Sequence, residues 1–300
     1  MRMPSRSYRI SLTCLTTTLL SGLAPIAADA QEKWSVETPT GPTHELKFEA
    51  TQGTWMSLSM SPDGRSIIFD LLGHIYELPV EGGTAKRLTD GRSWNLFPRV
   101  SPDGRSIAFS SDRSGQFEVW TMDRQGGSLR NVSAARDRSW DNLYRPAWSA
   151  DGQRIYAAGQ GDGAPSQLIA FDLRGGRQVL VRGGPGMSSP EPETHGSRVF
   201  YERGDGPLYG FAFNPYVTPP SGTRIERYDQ ATGEVGVHIE RPGGAFAPAL
   251  SPSGRQLAYV HRRIDSTVLI VQDLATAREW IVLRGLDRDR QQGSGYGPYP

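Results

Sequence analysis

The chain has 300 residues and 32.9 kDa, with 33 Lys and Arg against 32 Asp and Glu and a formal charge of +1. So even a balance argues against a general nucleic-acid binder, which needs a basic surface to displace counterions from phosphate. One cysteine, Cys14, rules out a disulfide within the chain, so any fold rests on an apolar core.

The first 30 residues read as a secretory signal peptide. Arg2, Arg6 and Arg9 precede an uncharged stretch from Ile10 to Ala27, and "ADA" (28–30) offers a cleavage site after Ala30. The stretch contains Thr, Ser and Pro and is marginally short for a spanning helix, so export favours a cleaved leader over an anchor. "SLT" before Cys14 is a poor lipid-attachment box. The mature chain would carry 30 basic and 31 acidic residues. An exported protein, periplasmic or secreted, without stable membrane insertion, is the expectation. Residues 31–49 are read as a lead-in.

From residue 50 the chain repeats itself. "SPDG" (61–64), "SPDG" (101–104), "SADG" (149–152) and "SPSG" (251–254) are joined by a worn copy, "ETHG" (193–196). Their glycines are spaced by 40, 48, 44 and 58 residues, close to the range of repeat architectures. Each box is followed by an apolar run ("RSIIFD", "RSIAFS", "QRIYAA", "SRVFYE", "RQLAYV"). Then come a second strand ("HIYELPV", "EVWTMDR", "QLIAFDL", "RIERYDQ", "VLIVQDL"), a turn, and a third strand such as "TAKRLT" (84–89) or "EWIVLR" (279–284). Residues before the box supply one more strand, clearest in "WMSLSM" (55–60). In the box, Pro presets the turn, Asp bonds the backbone ahead, and Gly takes a positive φ. Apolar runs without alternation indicate strands covered on both faces. Four short strands per unit, stacked face to face, predict an all-β propeller of four-stranded blades over 50–284, with about five repeats. The turn box is therefore scaffold.

"LFPRV", "YRPAW" and "FAPAL" precede boxes, and the chain ends "GYGPYP", the run-in to a further box. A propeller closes to remove its edges. The expected ring is thus incomplete in this chain, with "HELKFEA" (44–50) as a candidate closing strand and 285–300 leading into a missing repeat or domain.

The "SPDG" box with "I-x-F", an "IY" or "VW" strand and "GGTAKRLTDG" (82–91) resembles the TolB-type (WD-like) propeller repeat over about residues 50–283. "GTWMSLSMSPDGRSIIFDLLGHIYELPVEGG" (53–83), "WNLFPRVSPDGRSIAFSSDRSG" (94–115) and "GLDRD" (285–289) resemble the N-terminal propeller of large exported amidohydrolases. That resemblance implies a non-catalytic module that packs on and gates a metal-dependent barrel C-terminal to this chain. The divalent metal would belong to that barrel, and no cofactor is expected in the propeller. Alternatives are a free-standing periplasmic TolB-like propeller binding proteins and the propeller of a prolyl-oligopeptidase-type peptidase.

No catalytic constellation is visible. His44, His74, His195, His238 and His261 form neither His-x-His nor His-Glu-x-x-His, and no Gly-x-Ser-x-Gly elbow or phosphate loop occurs. The turn aspartates Asp63, Asp103 and Asp151, and Asp123, Asp172, Asp229 and Asp273, read as turn caps rather than calcium ligands. Trp120 and Trp148 read as blade packing. Trp94 and Trp140, with Tyr209, Phe211 and Phe213 in the long 203–222 loop, are the candidate binding residues, because long loops on a rigid frame carry recognition.

Overall fold

The computed structural model describes residues 35–38, 41–44, 46–53, 56–134, 142–160, 165–183, 186–204, 223–263 and 266–286. These residues form five antiparallel four-stranded sheets, each ordered as in the chain. Blade 1 holds β1 (Leu58–Met60), β2 (Ser66–Leu71), β3 (His74–Pro79) and β4 (Lys86–Arg87). Blade 2 holds β5 (Asn95–Val100), β6 (Ser106–Ser111), β7 (Glu118–Asp123) and β8 (Arg130–Asn131). Blade 3 holds β9 (Asn142–Trp148), β10 (Arg154–Gln160), β11 (Gln167–Asp172) and β12 (Arg177–Arg182). Blade 4 holds β13 (Met187–Pro192), β14 (Arg198–Arg203), β15 (Arg224–Asp229) and β16 (Val235–Ile239). Blade 5 holds β17 (Ala245–Leu250), β18 (Gln256–Arg262), β19 (Thr267–Asp273) and β20 (Glu279–Leu286).

The first strand of each blade packs on the first strand of the next, so these strands surround an axis. Each junction between consecutive blades has its own core. Ile68, Ile75 and Leu88 of blade 1 meet Ile107, Phe109 and Met122 of blade 2. Ala108 and Val119 then meet Leu143, Ile155 and Phe171. Tyr156 and Leu168 meet Val199 and Tyr201, and Phe200 and Ile225 meet Leu257 and Tyr259. Alternate residues of one strand thus serve opposite junctions, as Ile107 and Ala108 do, which is why these strands read as apolar runs.

No junction of this kind joins blade 5 to blade 1 among the described residues. Their outward faces stay partly bare, with Leu58 59% and Met60 48% exposed on one and Trp280 39% and Leu283 49% on the other. The expected closing strand at 44–50 is not formed. The described residues of that stretch pair with no sheet, and Leu46 and Phe48 are exposed. The lead-in is instead held through Glu37, at the connection between blades 1 and 2.

The box turns behave as their chemistry dictates. Ser101 Oγ donates to Asp103 Oδ1 (2.6 Å) and accepts from Ser106 N (2.9 Å), while Asp103 Oδ1 accepts from Arg105 N (3.0 Å). Ser61 with Asp63, and Ser149 with Asp151, repeat the arrangement. The box glycines Gly64, Gly104, Gly152 and Gly254 have φ between 66° and 74°. The worn copy departs from this. Gly196 is outside the left-handed region, and Glu193 replaces the Ser–Asp lock by accepting from Arg198 N (3.2 Å) and Nε (2.9 Å).

Candidate functional site

The box turns and the turns between third and fourth strands share one end of the blades. The opposite end carries the second-to-third strand turns and the blade-to-blade connections, where loop length varies. Aspartates at the first end are committed to the turns. Asp123 Oδ1 accepts from Gln125 N (2.9 Å) and Gly127 N (2.8 Å), and Asp172, Asp229 and Asp273 cap equivalent turns. In the box, the Ser101 hydroxyl holds the Asp103 carboxyl below its usual range, and the same bond acts in the other two Ser–Asp boxes.

At the variable end, the lead-in docks on the connection between blades 1 and 2. The Glu37 carboxylate accepts from Arg92 N (2.7 Å), Ser93 N (3.2 Å) and the Ser93 hydroxyl. Burial works against the ionised form of Glu37, but these donors outweigh it and hold the carboxyl below its usual range. Trp94 follows directly. It is 50% exposed, its backbone N–H donates to Asp112 Oδ1 (2.8 Å), and its indole lies over Gly73. A Cβ at Gly73 would stand 3.6 Å from the ring, an ordinary contact, so it is the φ of +81° at the turn that calls for glycine. Thr89, the last residue of "RLT", accepts from Ile75 N through Oγ1 (2.9 Å), and Ser133 does the same for Val119 N (2.8 Å).

Closer to the axis, the first strands of blades 2 to 5 share a two-residue irregularity, a bulge. Phe97–Pro98, Arg145–Pro146, Ser189–Pro190 and Ala247–Pro248 each interrupt the register with the neighbouring strand. Proline supplies no N–H, so it fits a bulge on an edge strand. The residue before it is left-handed in all four, with φ of 57°, 53°, 50° and 53°. Carboxylates clasp two of these bulges across a blade junction. Asp70 accepts from Ser57 N in the run-in to its own blade and from Phe97 N in the next (both 2.7 Å). Glu202 accepts from Ser188 Oγ (2.8 Å) and from the Ala247 amide of blade 5. Burial pushes the Asp70 carboxyl above its usual range, against the two amides and Arg145.

The four bulge side chains differ. The Arg145 guanidinium lies 4.7 Å from the Phe97 ring centroid. Phe97 meets Tyr144 edge-on at 6.1 Å, and Tyr144 tilts against Phe117 at 5.1 Å. Two blades thus present one exposed cation and three aromatic rings as a single cluster.

Of the expected binding residues, the structure places Trp94 at the variable end. Trp140, Tyr209, Phe211 and Phe213 lie outside the described residues. Trp120 and Trp148 pack between blades, with Trp148 Nε1 donating to Arg99 O (2.9 Å). The histidines are dispersed. His238 bonds Gln272 Oε1 (2.8 Å) and lies edge-on to Phe200, and His261 bonds Gly244 O (2.8 Å). Among the described residues no three His, Cys, Asp or Glu converge as a metal site. Sequence reasoning missed Asp70, Phe97, Tyr144, Arg145 and Glu202. The prolines before the boxes were the available signal.

This geometry defines a β-propeller of five four-stranded blades, with the loops of variable length at one end and the X-Pro bulges near the axis. The TolB beta propeller domain (PD40) matches residues 42–207, and the chain belongs to that family. It is 35% identical over 186 residues to the uncharacterized peptidase YuxL of Bacillus subtilis, covering 62% of this chain and 24% of that protein. It is 28% identical over 128 residues to tricorn protease homolog 1 of Streptomyces coelicolor, covering 41% of this chain and 12% of the other. The chain therefore matches about a quarter or less of the length of these two relatives. A solved structure of a TolB-like protein from Agrobacterium tumefaciens superposes with a TM-score of 0.63 at 18% identity, covering 76% of this chain and 80% of that one. At that identity the likeness concerns the fold. No described helix is long and apolar enough to cross a membrane.

Proposed function

We propose that this chain is the non-catalytic propeller of an exported amidohydrolase-like protein, packing on and gating a hydrolytic domain. The observation that carries the reading is the bare pair of apolar faces on blades 1 and 5. Leu58, Met60, Trp280 and Leu283 are the kind of surface that propeller blades bury against a neighbour. Two further points support it. The sequence resembles the propeller of large exported amidohydrolases, and the chain matches only part of longer relatives. A second reading follows from the names of those relatives, in which the hydrolytic domain is a peptidase. Partners are then a catalytic domain or periplasmic proteins, with the variable end as the contact surface.

Sequencing the gene past the Pro300 codon tests this. The expected result is a further box and then a His-x-His pair after a strand. A Gly-x-Ser-x-Gly elbow there moves the protein to the peptidases. An immediate stop overturns both, and leaves a free-standing protein-binding propeller. The purified chain is also expected to show no hydrolysis with added zinc. Metal-dependent turnover by a homogeneous sample would reject the non-catalytic assignment.

A further inference from the structure

The bulges provide the starting point. Every blade from the second to the fifth repeats the same left-handed X-Pro unit, so the backbone there is scaffold. The side chain at X is not fixed by that role, since phenylalanine, arginine, serine and alanine all occur. What stands at X is free to serve recognition, and only blade 3 places a charge there.

Arg145 has the features of a receiving site. It is exposed, and among the described residues no carboxylate ion-pairs with it. Asp70 lies within electrostatic range, but both its oxygens already accept backbone amides. The Phe97 ring, with its centroid 4.7 Å from the guanidinium, supports the cation from one side, and Pro146 restricts the backbone that carries it. A planar fork held in place, with N–H donors uncommitted among the described residues, matches a carboxylate in two-point geometry. Beside it, Phe97 and Tyr144 offer an apolar wall.

We infer that Arg145, held over the Phe97 ring at the propeller axis, is a binding site for a peptide carboxylate whose neighbouring apolar side chain packs on Phe97 and Tyr144. The site is independent of which domain the propeller serves. It makes the ring of X positions asymmetric, because among the four only that of blade 3 carries a cation.

The test uses the full chain and calorimetric titration with three probes. These are an N-acetylated tripeptide ending in phenylalanine with a free carboxylate, its C-terminal amide, and an amidated analogue with a glutamate side chain. The free acid is expected to bind about tenfold or more tightly than the amide. Binding of the glutamate analogue would support the site and identify a side-chain carboxylate as an equal ligand. R145Q should abolish the preference for acid over amide, and R145K should retain part of it, since charge survives while the fork is lost. Thermal unfolding of both variants reports whether the fold is intact. F97L, which leaves the charge in place, should weaken binding without removing the acid preference. Equal affinity for acid and amide would overturn the proposal. So would an acid preference unchanged in R145Q, or no saturable binding by any probe up to about 10 mM, where the binding free energy would fall below roughly 3 kcal/mol.

Discussion

Glu226 shows how a buried charge is tolerated in a strand flanked by two others. Its Oε2 accepts from Tyr201 Oη (2.7 Å) and Arg203 Nε (3.0 Å), and its Oε1 accepts from Arg224 Nε (2.9 Å). Burial pushes the carboxyl up, but the three donors outweigh it and hold it below the usual glutamate range. Burial and the same carboxylate push the Tyr201 phenol up. A depressed folded-state value means that the stabilisation is fully present above the ordinary glutamate range and is lost as pH falls through the folded value. E226Q is expected to lose about 3 kcal/mol in urea unfolding near neutral pH, because Arg203 is left buried without its counter-charge. It should also flatten the acid side of the stability profile. Wild-type stability in the variant would contradict this account. "RIERYD" showed a strand, but nothing in the sequence linked its Glu to Arg203, 23 residues earlier, because that pairing exists only once β14 and β15 align.

The X-Pro bulge, with its left-handed residue, marks the first strands of blades 2 to 5. A left-handed backbone costs a residue with a Cβ about 1–2 kcal/mol, and a β-branched residue more. Ala247 isolates this effect because its side chain is exposed. A247G should equal or exceed the wild type in stability, whereas A247V should unfold about 2 kcal/mol more easily than A247G, by the clash of a branched Cβ at positive φ. Comparable urea midpoints for the two variants would mean the bulge relaxes out of the left-handed region. The recurring X-Pro was visible before three of the boxes, in "LFPRV", "YRPAW" and "FAPAL". Its backbone state was not, since proline excludes a hydrogen bond without specifying the φ of the residue before it. Asp70 and Glu202 were hidden for a related reason: an amide that each accepts comes from the next blade.

At the scale of the molecule, four of the blade junctions have cores and the fifth is missing among the described residues. Blade 3 is covered on both sides, while blades 1 and 5 are covered on one. Amide exchange should therefore be slowest in β10 and β11 and progressively faster toward both ends of the series. Uniform protection across all five blades would indicate that the free faces are covered in solution. The number of blades and most strand positions were legible from the box spacing, because Ser, Asp and Gly at fixed offsets lock one kind of turn. The role of 44–50 was not. Its apolar residues resemble a strand, and the Glu37 clasp on Arg92 and Ser93, with the bond from Arg92 Nη2 to Thr43 Oγ1 (3.1 Å), shows that the lead-in is anchored at the variable end instead.

The X-Pro units also bear on how such a protein can change over generations. The unit recurs with phenylalanine, arginine, serine and alanine at X, so an unbranched replacement there alters what faces the axis while the strand, the turn and the junction stay as they are. A family built this way can acquire or discard a ligand by point replacement at four equivalent addresses, moving a cation from one blade to another without redesigning either.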